Sequence, residues 1–332
     1  MRLVVAVLVS LAAANSAYAD VVTLRMATIA PEGTAWAREL AAFAREIDAN
    51  THGAVRVKIY YSSIAGDEFT VINRIKRDQL DGAIGSESCM LLGPSMRVTR
   101  IVGMFQTRAE SAYVLTRLKP ILDAEFAKNG FVNLGQANLG PEILFTRTPV
   151  RSVADLKRLR FWVWDLDDSL RRQAAALGLT IVPKPIEQAG QAYDSGAVDG
   201  FIAIPTAGLA FQWSTRARYL EDLRISYRSG CVFFASRSFD PLTFEAREII
   251  KSAAAKLRGR IEDVGQREDG ALLGGLFARQ GLTPIPVSDR FHSEFFEMAQ
   301  GARVTSKVVA DSLMETVLAW LADYRAIHSL QR

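Results

Sequence analysis

Between Val153 and Pro205 the chain alternates strand, helix, strand, helix, strand with short links, and this order predicts a parallel α/β unit. Asp155 opens a short amphipathic turn, and residues 160–164 are a compact run of β-formers. Asp167 and Asp168 offer an N-cap for a helix over residues 169–177, which Gly178 ends. Further strands are expected at 179–183 and 198–204, with a helix at 188–195 between them. Ligands of such units sit at the carboxyl ends of the strands. That edge carries Val163, Trp164, Asp165, Ala203 and Ile204.

The same order appears earlier. Residues 22–28, 54–61 and 80–85 read as strands, and 34–50 and 68–78 as helices, the first with apolar periodicity through Trp36, Leu40, Phe43 and Ile47. Between the halves, residues 131–136 and 143–146 are strand-like. After the second half, 231–236 is a strong strand, followed by a long helical run over 244–277, in which Gly259, Gly265 and Gly270 are weak points. Terminal helices are expected over 287–299 and 304–328. Two lobes joined by extended segments suggest a hinge, with Gly140 and Gly230 suited to it.

Met1–Ala19 reads as a signal peptide, with Arg2, an apolar core and an A-x-A site at Ala17-Tyr18-Ala19. Its apolar run is about a dozen residues, short of the roughly 20 that span a bilayer. No cysteine follows the site, so a lipid anchor is not indicated. Of the two cysteines, Cys89 and Cys231, an oxidising compartment permits a disulfide, and two buried thiols are the alternative. The net charge of +4 comes from basic residues interspersed with acidic ones. No basic block with interleaved aromatics points to nucleic acid.

No catalytic constellation stands out. His52, His292 and His328 are scattered, and no nucleophile elbow, zinc-protease motif or phosphate loop occurs. No cofactor motif is present. Asp165, Asp167 and Asp168 offer oxygen ligands to a hard cation, but without the Gly and distal Glu of an EF-hand loop. Helix capping explains them more simply.

Asp155, Leu156, Lys157, Leu159, Val163, Leu177, Gly178, Pro183, Ala192, Gly196, Val198, Asp199, Gly200 and Pro205 match the pattern D-L-K-G-L-K-I-R-V-P, L-G-A-x-P, A-L-Q-x-G-x-V-D-G-x-E-N-P. In this the chain resembles the solute receptors of tripartite ATP-independent periplasmic (TRAP) transporters, of the dicarboxylate-receptor type. The first half also matches, at Leu24–Ala27, Phe43-Ala44, Thr51–Gly53, Gly66-Asp67 and Asp81–Ile84. The resemblance implies an α/β, two-lobed periplasmic binding protein (type II-like) with hinge strands and a long connecting helix. After the signal peptide at 1–19, one lobe is expected from 20–143 and 231–271. The other is expected from 144–230 and 272–332, with the C-terminal helices. The implied role is to capture a small molecule between the lobes and deliver it to a TRAP permease. The family includes a branch that works with a helical-repeat periplasmic partner. A hydrophobe shuttle without a permease and a ligand sensor are the alternatives, and an enzyme is not expected.

The departures lie at the cleft. The family's carboxylate-clamping arginine falls on Trp162, and a second, upstream arginine falls near Glu142. A polar position becomes Ser86, an aromatic-then-Tyr pair becomes Ile186 and Gly190, and the D-G-x-E-N-P segment becomes Asp199–Pro205, one residue longer, with Phe201, Ala203 and Ile204. Trp164, Phe211, Trp213 and Cys231 complete the expected ligand-binding set. A carboxylate buried against indole without a partner costs several kcal/mol, so these replacements suggest an uncharged, largely apolar ligand. Trp162 and Trp164 share a strand face, and core packing is the competing expectation for both. Packing is the favoured expectation for Phe211 and Trp213.

Overall fold

The structure, a computed structural model, describes residues 21–329. The expected signal peptide lies outside the described residues. In chain order the first half contains β1 (Val22–Ala27), α1 (Ala35–Asn50), β2 (Val55–Tyr60), α2 (Glu68–Lys76), β3 (Gly82–Gly85), α3 (Glu87–Leu92), α4 (Arg108–Lys128) and β4 (Phe131–Thr146). The second contains α5 (Val153–Arg158), β5 (Arg160–Trp164), α6 (Asp168–Leu177), β6 (Thr180–Lys184), α7 (Ala189–Asp194), β7 (Gly200–Ala203) and α8 (Pro205–Ala210). Then follow β8 (Tyr219–Ala235), α9 (Ser236–Phe239), α10 (Phe244–Ala271), α11 (Phe277–Arg279), β9 (Thr283–Pro284), α12 (Asp289–Ser306) and α13 (Asp311–Ser329).

The strands form one mixed sheet in the order β2-β1-β3-β8-β4-β7-β5-β6, with β9 on β8. The β1, β2, β3 group and the β5, β6, β7 group are parallel internally, as their helical crossovers require. Between them run β4 and β8, 16 and 17 residues long and antiparallel to each other. One end of this ribbon pairs with β3 and the other with β7. Two apolar clusters cover the faces of each group, so the molecule has two lobes with separate cores.

The expected segments 131–136 and 143–146 are thus two ends of one strand, and 231–236 is the tail of another. Register shifts interrupt the ribbon at Asn133/Gly135, Asn138/Gly140 and Glu142/Leu144. Gly140 has φ of 137°, and a side chain there would meet Asp269 Oδ2 at 2.6 Å. The positive φ requires glycine at this bulge.

Helix α10 passes through Gly259, Gly265 and Gly270 without a break and ends instead at a wide turn over 272–276, where Gly275 has φ of 127°. Its apolar face, Ile250, Leu257 and Ile261, packs on the first lobe. Helix α12 buries Phe291 and Phe295 against the second lobe. Helix α13 does not stay with it: Val317 and Leu321 pack into a first-lobe cluster with Leu118 and Leu122 of α4. Both terminal helices were expected on the second lobe. The chain instead turns back at Lys307, in the left-handed conformation, and the apolar stripe of α13 finds its partner across the molecule.

Cys89 and Cys231 form a disulfide with Cα atoms 5.9 Å apart, tying α3 to β8 across 142 residues of sequence. In the chain-entropy account, closing so long a loop removes about 5 kcal/mol of freedom from the unfolded chain.

Candidate ligand-binding site

The carboxyl ends of β1, β3, β5 and β7 converge on a cavity between the lobes, about 1210 Å³ including its open mouth. The first lobe contributes Trp36 and Leu40 of α1, Ile84, Leu139, Val232, and Leu257 and Ile261 of α10. The second contributes Trp162, Trp164, Ile202, Ala203, Ile204, Ile186, Phe211 and Trp213. Ser86, Glu142 and Cys231 also line it. Ten of the eleven residues expected at the site therefore meet around one space.

The exception is Phe201. It lies one step deeper along β7, fully buried, stacked on Tyr193 (5.0 Å) and Trp213 (5.4 Å). It backs the wall instead of lining it. Trp162 is itself part of an aromatic stack, tilted against Trp213 at 4.9 Å, with Phe211 stacked on Trp213 at 5.1 Å. Packing and lining coincide here, because the outermost ring of a packed wall still faces the cavity. The Trp162 indole N–H is spent on the Lys184 carbonyl (3.1 Å), so it is not a free donor. Gly190 does not enlarge this cavity. It borders a separate outer groove, where Arg216 Nε lies 2.9 Å from where a side chain would start.

The floor is polar, and most of it was not anticipated. Arg228, in the middle of β8, reaches the cavity and gives up every guanidinium nitrogen to the protein. Nε donates to Glu142 (3.1 Å), Nη1 to Glu87 (2.6 Å) and Ser86 (3.2 Å), and Nη2 to Asp167 (3.1 Å). Behind it, fully buried Arg100 bonds Glu142, Asp167 and Ser226. Ser226 in turn donates to Glu142 (2.5 Å). Both oxygens of Glu142 are thus occupied. Asp167 caps α6, as its position suggested, by accepting from the Leu170 N–H at 3.0 Å, and it also joins the two arginines. Among the described residues, no group of three His, Cys, Asp or Glu is placed to hold a metal ion.

Four carboxylates, those of Glu68, Glu87, Glu142 and Asp167, surround two arginines. Burial pushes Glu87 up to about 7, with Asp167 adding to the rise and Arg228 opposing it. Burial also raises Glu68, although Ser86 and Ser88 donate to it. Burial opposes ionisation of Asp167 too, but Arg100 and Arg228 overcome it and hold the group below its ordinary value. The cluster therefore carries no cationic surplus toward the cavity.

A second buried acid lies away from the cavity. Glu221 is fully buried, has Thr146 (3.2 Å) and the Val150 N–H (2.8 Å) as partners, and is pushed up by burial from 4.5 to about 7. The native state then holds a proton that the unfolded chain releases. Its contribution to stability is full below about 4.5 and is lost as pH rises to about 7. Glu221→Gln keeps both hydrogen bonds and should stabilise the protein by about 2–4 kcal/mol at pH 8, with the gain fading toward pH 5. Thermal melts of both proteins across this range measure it. An equal gap at the two pH values would refute burial as the cause.

The model of the bacterial extracellular solute-binding proteins, family 7, matches residues 26–305, from the end of β1 through both α/β halves, the ribbon between them and nearly all of α12. The chain belongs to this family. A solute-binding protein of Roseobacter denitrificans is 22% identical over 197 residues, 57% of this chain and 58% of that protein, so the match spans less than two thirds of that relative. Solved structures agree over more of the chain. A Bordetella pertussis extracytoplasmic solute receptor binding pyroglutamic acid is 20% identical with a TM-score of 0.82, covering 90% of this chain and 99% of its own. A Sulfitobacter TRAP periplasmic solute-binding protein with bound β-D-galacturonate is 18% identical with a TM-score of 0.81, with the same coverage. At these identities they show the two-lobed α/β periplasmic-binding-protein fold of this family 7 solute-binding protein.

Proposed function

We propose that this family 7 protein is a periplasmic receptor of a TRAP-type transporter that binds an uncharged, largely apolar ligand between its lobes and presents it to a membrane permease. The observation that carries the ligand class is the state of Arg228. An organic acid needs a cation with donors to spare, and Arg228 is committed to Glu87, Glu142 and Asp167. The clamp position is occupied by Trp162, whose neighbours are aromatic rings. A ligand carboxylate would meet aromatic walls and a floor whose arginines are already paired with Glu87, Glu142 and Asp167, whereas apolar contact with these walls gains about 25 cal/mol per Å².

The signal-peptide pattern of residues 1–19 supports export to the periplasm. The register shifts of β4, with Gly140 and Gly230 close together on the ribbon, support a hinge between the lobes. A helical-repeat partner, as in the apolar-ligand branch of the family, fits this reading. In thermal melts, millimolar galacturonate and pyroglutamate should leave the transition unmoved. An apolar or aromatic ligand at 100 times its Kd should add about 2.7 kcal/mol. Native mass spectrometry of the protein purified from periplasm should show a retained hydrophobic molecule. Tight binding of either acid would sink the reading.

A further inference from the structure

Ile186, Phe211 and Trp213 border two spaces at once. One is the interlobe cavity. The other is a groove on the second lobe whose remaining wall includes Glu187, Gln191, Asp194, Gln212 and Arg216. A single layer of side chains thus separates an apolar space from a polar one. Trp213 is fixed in that layer by stacking on Phe201, but Ile186 and Phe211 are only half-buried. Phe211 follows the last turn of α8, and Gln212 beyond it takes the left-handed conformation (φ 57°), so the chain leaves the helix abruptly at the collar. The groove has hydrogen-bonding groups and no cationic surplus, since its one arginine, Arg216, pairs with Asp194 at 3.2 Å.

We propose that the cavity and the groove become one continuous site for a single-chain, uncharged amphiphile when the half-buried Ile186 and Phe211 side chains part beside the fixed Trp213, with the tail between the lobes, the headgroup in the groove, and these three residues as the collar around the junction. This rests on the apolar-ligand reading and adds the chemistry of the ligand's other end. Such a molecule satisfies both halves of the site: methylenes replace water against the aromatic wall, and hydroxyls meet Gln191, Glu187 and Asp194 without a charge to bury.

The test is a titration of wild-type protein with n-alkyl β-D-glucosides from hexyl to decyl, below their micelle concentrations, against 1-alkanols of equal length, followed by tryptophan fluorescence. Affinity should rise about fourfold per methylene in both series. Glucosides should bind about tenfold tighter than the matching alkanols, as two net hydrogen bonds would give. Gln191→Trp fills the groove at a residue that does not line the cavity, and should erase the glucoside advantage while leaving alkanol binding intact. Equal affinities for glucoside and alkanol, or an advantage that survives Gln191→Trp, would overturn the amphiphile site while leaving the apolar cavity standing. Binding of galacturonate with neither series binding would overturn the cavity reading itself. A second measurement needs no variant. A decyl chain with a nitroxide head should broaden the amide signals of Gln191 and Asp194 in wild-type protein, and broadening at Trp36 and Leu257 instead would place the head at the interlobe mouth and refute the proposal.

Discussion

Replacing Arg100 by Met should destabilise the protein by about 3–5 kcal/mol, the usual cost of removing one member of a buried ion cluster. Arg100 is among the largest fully buried side chains, and its guanidinium joins Glu142 on the crossing strand to Asp167 at the start of α6. Without it, two buried carboxylates share Arg228 alone. Arg100→Lys should recover little, because an ammonium cannot span two carboxylates as a planar fork does. Adding Glu142→Gln to Arg100→Met should restore part of the loss by removing the stranded charge. Urea denaturation of the three proteins measures this, and a loss under about 1 kcal/mol for Arg100→Met would mean that water already serves these carboxylates.

Trp162→Ala should cost a similar 3–5 kcal/mol and also weaken any apolar ligand, because the ring supports Trp213 and faces the cavity. Trp162→Phe keeps most of the buried area and should lose much less stability, separating the two effects. Trp162→Arg introduces the arginine that the family resemblance expects at this position but places a guanidinium among Phe201 and Trp213. Glu142 does not neutralise it, since both its oxygens are engaged by Arg100, Arg228 and Ser226. The variant should melt well below wild type and bind no organic acid. A Trp162→Arg protein that melts normally and gains galacturonate binding, measured by calorimetry, would show that the cleft still has the polar shell of an acid receptor.

The α/β halves were legible because their signals are local. In residues 153–205, strand composition, the Asp167 cap and the Gly178 stop all lie within a few residues of what they specify, and the structure has Gly178 left-handed at the end of α6. The long strand β8 was legible only in its apolar end. Its earlier stretch, Glu221-Asp222-Leu223-Arg224-Ile225-Ser226-Tyr227-Arg228, reads as solvated alternation, yet Glu221, Ser226 and Arg228 turn inward to partners 61 to 142 positions away. Buried charge in a strand imitates an exposed face until the residues that neutralise it are known. The one available signal was the number of acidic residues near the strand ends, among them Glu68, Glu87 and Asp167.

Period, composition and contiguous motifs were enough to specify the two α/β halves, the family and the apolar residues at the strand ends. Tertiary structure alone decided that Cys89 meets Cys231, that α13 crosses to the first lobe, and that Arg228 stands in the cleft already neutralised. These outcomes depend on distances between segments far apart in the chain, and the energy of a buried charge is set by its neighbours in space.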